Sequence, residues 1–164
     1  MRRIAWMSLA LAMLGWWATP SAQAPPDLSG RWSMDLAESQ SPTYPGFEGP
    51  VTLVVDQKAD VVRIETIRGQ DKKSSTAIYP IHDSAPADSG TAAAKALAYW
   101  DGSALVVEGM KDVQGKTVNT RQRFSLGPDK EELHVVSIVI VQHGYTIEGT
   151  ENFGEAEDIY TRQQ

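Results

Sequence analysis

With 164 residues, 41% of them hydrophobic, the chain has enough material for one domain with a real core and little left for a second. Its formal charge of −6, broken by no basic cluster longer than Lys72-Lys73, argues against nucleic acid or anionic lipid as a partner. It contains no cysteine, which excludes disulfides, cysteine nucleophiles, thiolate metal sites and a lipid anchor on cysteine.

In chain order, Arg2 and Arg3 precede the apolar run IAWMSLALAMLGWW, and PSAQA follows with small residues at Ala22 and Ala24. This is the pattern of a secretory signal peptide over residues 1–24, leaving 25–164 as the mature domain. The apolar run has 14 residues, fewer than the roughly 20 that span a bilayer, so no stable membrane anchor is expected. The two arginines lack the rest of a twin-arginine pattern, and Sec-type export to a periplasmic or secreted location is the expectation. Losing Arg2 and Arg3, with no acid among the first 24 residues, takes the formal charge from −6 to −8.

From Leu28 onward, runs rich in valine, isoleucine and threonine alternate with glycine, proline and aspartate. They predict strands over 28–34, 51–57, 61–67, 74–82, 96–100, 103–112, 117–126, 132–142 and 156–162. Hairpin turns are expected at Asp101-Gly102, Gln114-Gly115-Lys116, GPDKE and His143-Gly144, which makes strands that are neighbours in sequence neighbours in space. The alanines between Ala92 and Ala98 favour a helical turn or two over 85–95, with Ser89 or Thr91 as a cap. The connection DLAESQSPTYPGFEGP, residues 35–50, has three prolines and two glycines and reads as a lid over an opening or as a plain surface crossing.

This order is all-β, and an antiparallel up-and-down barrel of 8 or 9 strands removes the long unpaired edges that an open sheet would leave. Gly30-Arg31-Trp32, Gln57 in TLVVDQ, the segment AYWDGSALVVEG and the final DIYTRQQ with Arg162 together resemble the lipocalin-like, calycin-type barrels found in small exported bacterial domains. The resemblance covers essentially the whole mature chain. It implies that Gly30 permits a bend, that Trp32 plugs the closed end and that Arg162 packs across that indole. The cysteine pair and C-terminal helix of true lipocalins are missing.

Period-two alternation sets an inward phase of Leu53, Val55, Gln57, Val62, Ile64 and Thr66, with Arg63 and Glu65 outside. Carried around the barrel, it places Tyr79, Ile81, Trp100, Leu105, Val107, Phe124, Leu126, Leu133, Val135 and Tyr160 in the interior. Tyr79, Trp100, Phe124 and Tyr160, with Leu105 and Val107, are the candidate ligand-binding residues if the interior is hollow, and core if it is filled. The run ELHVVSIVIVQ is apolar in both phases, so its outward Val136, Ile138 and Ile140 need a cover. The 35–50 connection or a second copy of the chain would provide it, the latter giving a homodimer.

Chemistry is thinly represented. His82, His134 and His143 lie near strand ends without zinc-ligand spacing, and no feature selects one as a haem ligand. There is no Gly-x-Ser-x-Gly and no phosphate loop. Glu148, Glu151, Glu155, Glu157 and Asp158 lack the order of a calcium loop and read as a solvated face. Arg121 and Arg123 share one face, pushed outward by Phe124. No cofactor or metal is expected. The first functional reading is an exported, noncatalytic binding protein for a small apolar or amphipathic molecule. The alternative is a filled barrel acting as a protein-interaction module through the 132–142 run and the 35–50 connection, and an enzyme at the barrel mouth ranks third.

Overall fold

The β-branched runs form nine strands: β1 (Gly30–Met34), β2 (Val51–Gln57), β3 (Val61–Arg68), β4 (Lys73–His82), β5 (Ala96–Asp101), β6 (Ala104–Val113), β7 (Lys116–Leu126), β8 (Glu132–Gln142) and β9 (Asn152–Arg162). They close into one barrel in chain order, β9 returning to β1 through Trp32↔Arg162, Ser33↔Thr161 and Met34↔Tyr160. The computed structural model describes residues 24–43, 46–82, 96–113, 116–142 and 152–164. The expected signal peptide, except Ala24, lies outside the described residues, as do the expected helical turns at 85–95, the turns at Gln114-Gly115 and His143-Gly144, and Glu148 and Glu151. No helix among the described residues is long and apolar enough to cross a membrane.

The pairing departs from a wholly antiparallel barrel at one joint. Strand directions that alternate around a ring close only for an even number, so nine strands require a parallel pair. That pair is β4–β5, joined by Ile81↔Ala98 and His82↔Tyr99, while every other neighbour is antiparallel.

One end is sealed. Trp32 is fully buried, its indole Nε1 donates to the Leu28 carbonyl at 3.0 Å, and the Arg162 guanidinium lies 4.1 Å from the ring centroid. Arg162 also donates from Nη1 to the Ser29 carbonyl at 2.9 Å, tying the last strand to the segment before the first. Gly30 has a φ of 150°, and a Cβ there would sit 2.7 Å from Arg162 Nη1, so the approach of the guanidinium depends on glycine. Gln57 straps the preceding residues over the same end: its Oε1 accepts from the Leu28 amide and its Nε2 donates to the Pro26 carbonyl.

Around Trp32, the inward rows supply Leu53, Val62, Leu105, Phe124 and Leu133, each 6% exposed or less, and together they fill this half of the interior. The turn between β5 and β6 is Gly102-Ser103, one residue on from the expected Asp101-Gly102: Asp101 pairs with Ala104 as the last residue of β5, and Gly102 takes the φ of 63°. On the outside, Leu97, Tyr99 and Val106 form a second, smaller buried group. Trp32→Ala is expected to destabilise the barrel by about 3–5 kcal/mol through loss of the indole and the void left behind, read as a lower urea midpoint at unchanged slope.

Candidate functional site

Away from Trp32, the inward rows change character. Following the same register toward the other end, the positions that carried Leu, Val and Phe become Thr66 and Ser75 on β3 and β4, Gly109 on β6, Thr120 and Gln122 on β7, Ser137 on β8, and Gly154 and Ala156 on β9. Small and polar side chains cannot fill a ring whose diameter is set by strand number, so this half stays open. The result is a cavity of about 410 Å³, within the range of pockets that hold one small molecule.

Its walls come from six strands: Met34, Val51, Arg68, Gln122, Ser137, Asp158 and Tyr160. The 35–50 connection adds Ser41, Gly46, Phe47 and Glu48 at the mouth. An adjoining hollow of about 240 Å³ shares Ser41 and Ser137 with it. At the rim, Gly69 donates its amide to the Pro50 carbonyl, and a Cβ there would meet the Glu48 carbonyl oxygen at 2.7 Å, so glycine fixes how closely the connection seats on the β3–β4 turn.

The connection is stitched to β9 where β9 has parted from β1. Asp35 donates its amide to the Ile159 carbonyl at 2.8 Å and Gln40 to the Glu157 carbonyl at 2.9 Å. Side chains complete the ladder: Ser39 Oγ donates to the Ile159 carbonyl and accepts from the Ile159 amide, while Gln40 Oε1 accepts from the Glu157 amide. Ser39 is accordingly one of two buried polar residues among those described.

The other is Asp158, 5% exposed. Its Oδ1 accepts the Ser41 amide at 2.8 Å and its Oδ2 accepts the Ser41 hydroxyl at 2.6 Å. Tyr160, 4% exposed, stands two residues along the same row, and among the described residues its hydroxyl has no hydrogen-bond partner. Burial first, then the negative charge of Asp158, push the Tyr160 phenol far above its ordinary value, with Arg68 opposing the shift. Gln122 Nε2 donates to Ser137 Oγ at 3.2 Å, and among the described residues Gln122 Oε1 has no partner. Among the described residues no histidine or lysine lines this cavity, and the Ser41–Asp158 pair has no imidazole between its members. Among the described residues, no group of three or more histidines and carboxylates is placed to hold a metal ion.

The residues singled out from sequence are distributed across both halves. Tyr160 lines the cavity; Leu105, Val107 and Phe124 are packed in the core, and Tyr79 and Trp100 lie partly buried against it. Gly30, Trp32 and Arg162 meet at the sealed end. Reading the acidic run as a solvated face needs one correction: Glu155 and Glu157 are exposed, but Asp158 is turned into the barrel by its pairing with inward Val135. The described part of the 35–50 connection binds β9, so it does not cover the outer row of β8. Val136 and Ile138 are half-buried there, with Arg123 and Glu157 across from the first and Arg121 and Glu155 across from the second. Arg121 and Arg123 do point outward, to Glu108 and Tyr99 and to Asp101 respectively. His82 is exposed and His134 sits between Glu132 and Glu157. Sequence reasoning missed Met34, Ser41, Gly46, Phe47, Glu48, Val51, Arg68, Gln122, Ser137 and Asp158 as cavity residues. Six of them, Met34, Val51, Arg68, Gln122, Ser137 and Asp158, lie one step of two from residues already placed inside.

A closed nine-strand barrel, sealed by a buried tryptophan under an arginine and, among the described residues, open at the other end, is a calycin-type, lipocalin-like fold. Two solved structures illustrate the likeness. Human cRBP IV is 15% identical over 85% of this chain and 100% of its own, with a TM-score of 0.51. The wild-type fluorescent protein UnaG is 16% identical over 83% of this chain and 97% of its own, with a TM-score of 0.47. No protein-family model matches the chain. No curated protein matches it either.

Tyr79, Tyr99 and Tyr160 all have raised phenol pKa values, chiefly through burial. The folded state therefore keeps protons that the unfolded chain releases near the ordinary tyrosine value of 10.0, and the stability they lend is lost as pH rises past it. Phenolate absorbance is expected to show Tyr160 ionising last of these three, with the urea midpoint lower at about pH 11 than at about pH 9.

Proposed function

We propose that the chain is an exported, noncatalytic binding protein that holds one small amphipathic molecule in the open half of its barrel. The observation that supports this most directly is the cavity of about 410 Å³, walled by Met34, Phe47 and Val51 on its apolar side and by Gln122, Ser137, Asp158 and Tyr160 on its polar side. Such a lining suits a ligand with a greasy body and at least one hydrogen-bonding group. A purely apolar ligand would bury Asp158 and Tyr160 against hydrocarbon and lose their remaining hydrogen bonds, which is costly. Export, to the periplasm or beyond, rests on the N-terminal Arg2-Arg3, apolar run and PSAQA pattern.

Protein recovered from its native envelope or medium is expected to begin near Pro25 and to retain one noncovalent adduct by native mass spectrometry. Ser137→Trp, which fills the cavity, is expected to lose the adduct while keeping the wild-type circular dichroism spectrum. A wild-type protein that carries no adduct and does not enhance the fluorescence of a neutral, apolar solvatochromic dye would overturn the reading.

A further inference from the structure

Resting on that binding reading, we infer that the ligand's polar end is an organic ammonium, seated against Asp158 with Tyr160 as its neighbour in the same inward row. Asp158 is the only buried charged side chain among the described residues. A carboxylate offers about four lone-pair directions. The Ser41 amide and hydroxyl occupy two of them, one on each oxygen, so each oxygen retains acceptor capacity beside the cavity. Tyr160 supplies a neutral phenol oxygen with no partner among the described residues, and Gln122 Oε1 is a third acceptor on the same wall. A buried carboxylate with spare acceptor capacity, with a phenol oxygen two residues along the same row, matches a group with several N–H donors and a positive charge.

Two cations or anions at the mouth bear on the choice. Arg68 also lines the cavity, and an acidic ligand would be drawn to it. Arg68 is exposed, however, and Glu48 lines the same mouth, so its field is damped by water and by an opposite charge. Asp158 acts from a buried position where water screens less, and an anion carried down to it would meet repulsion and lose hydration together. The net charge of the whole chain, −6, also draws cations rather than anions toward the mouth.

The test uses three probes with the same eight-carbon tail and different heads: octylammonium, octanol and octanoate, titrated into the mature protein and followed by calorimetry. Octylammonium is expected to bind most tightly and octanoate most weakly. Asp158→Asn is expected to weaken octylammonium by about tenfold or more and to leave octanol unchanged. Tyr160→Phe, which keeps the ring, is expected to weaken octylammonium to a smaller extent. If octanol or octanoate matches octylammonium on the wild-type protein, the ammonium assignment is wrong while the binding reading stands. If none of the three binds and the neutral solvatochromic dye is also excluded, the binding reading itself fails. The wild-type ranking decides the matter even if Asp158→Asn does not fold.

Discussion

The guanidinium of Arg162 lying on the ring of Trp32 joins the last strand to the first, and the rest of the architecture is arranged around that contact. A cation over an indole face is attractive in itself, and more so where water is largely excluded. Here it also forces the segment before β1 across the barrel end, because Arg162 reaches the Ser29 carbonyl only where residue 30 has no Cβ. The indole, the guanidinium and the missing side chain form one device. It turns a curled sheet into a cup with a fixed bottom.

A cup of this width has a volume to fill, and the side chains fill only half of it. Toward Trp32 the inward rows carry mostly Leu, Val and Phe; toward the other end β7, β8 and β9 bring in Gln122, Thr120, Ser137, Ala156 and Gly154, with Val139 among them. The two readings of a barrel interior, filled and hollow, describe different ends of this one molecule. Asp158 lies at the change of level. Its placement is costly in apolar surroundings, and the Ser41 backbone and hydroxyl reduce that cost by coming in from the connection. The cavity and the segment over its mouth are therefore joined through one carboxylate.

Strand positions and the inward phase were legible because β-branched runs and turn residues are local signals with a period of two. Closure could be argued from edges, and Trp32 was matched with Arg162 through the resemblance to lipocalin-like barrels. That a nine-strand ring needs a parallel pair follows from counting, but its place at β4–β5 does not. Asp158 was equally accessible: Tyr160 inward implies residue 158 inward, yet four nearby glutamates made the whole run look solvated. Gln122 and Ser137 follow from Phe124 and Val135 by the same step. Ser41, Phe47 and Glu48 follow from nothing periodic, because an irregular connection has no phase and its seating on β9 depends on side-chain oxygens standing in for a strand.

That substitution has a kinetic consequence. The doorway residues 35–41 hold to β9 by a short series of hydrogen bonds, each contributing a net ~1 kcal/mol, whereas undoing a domain takes about 5–15 kcal/mol. On the proposed binding role, a ligand would enter and leave by local opening of this segment while the nine-stranded wall stays intact. Residence time would then be set by Ser39, Gln40 and Ser41, adjustable by altering three polar side chains without touching the bottom of the vessel.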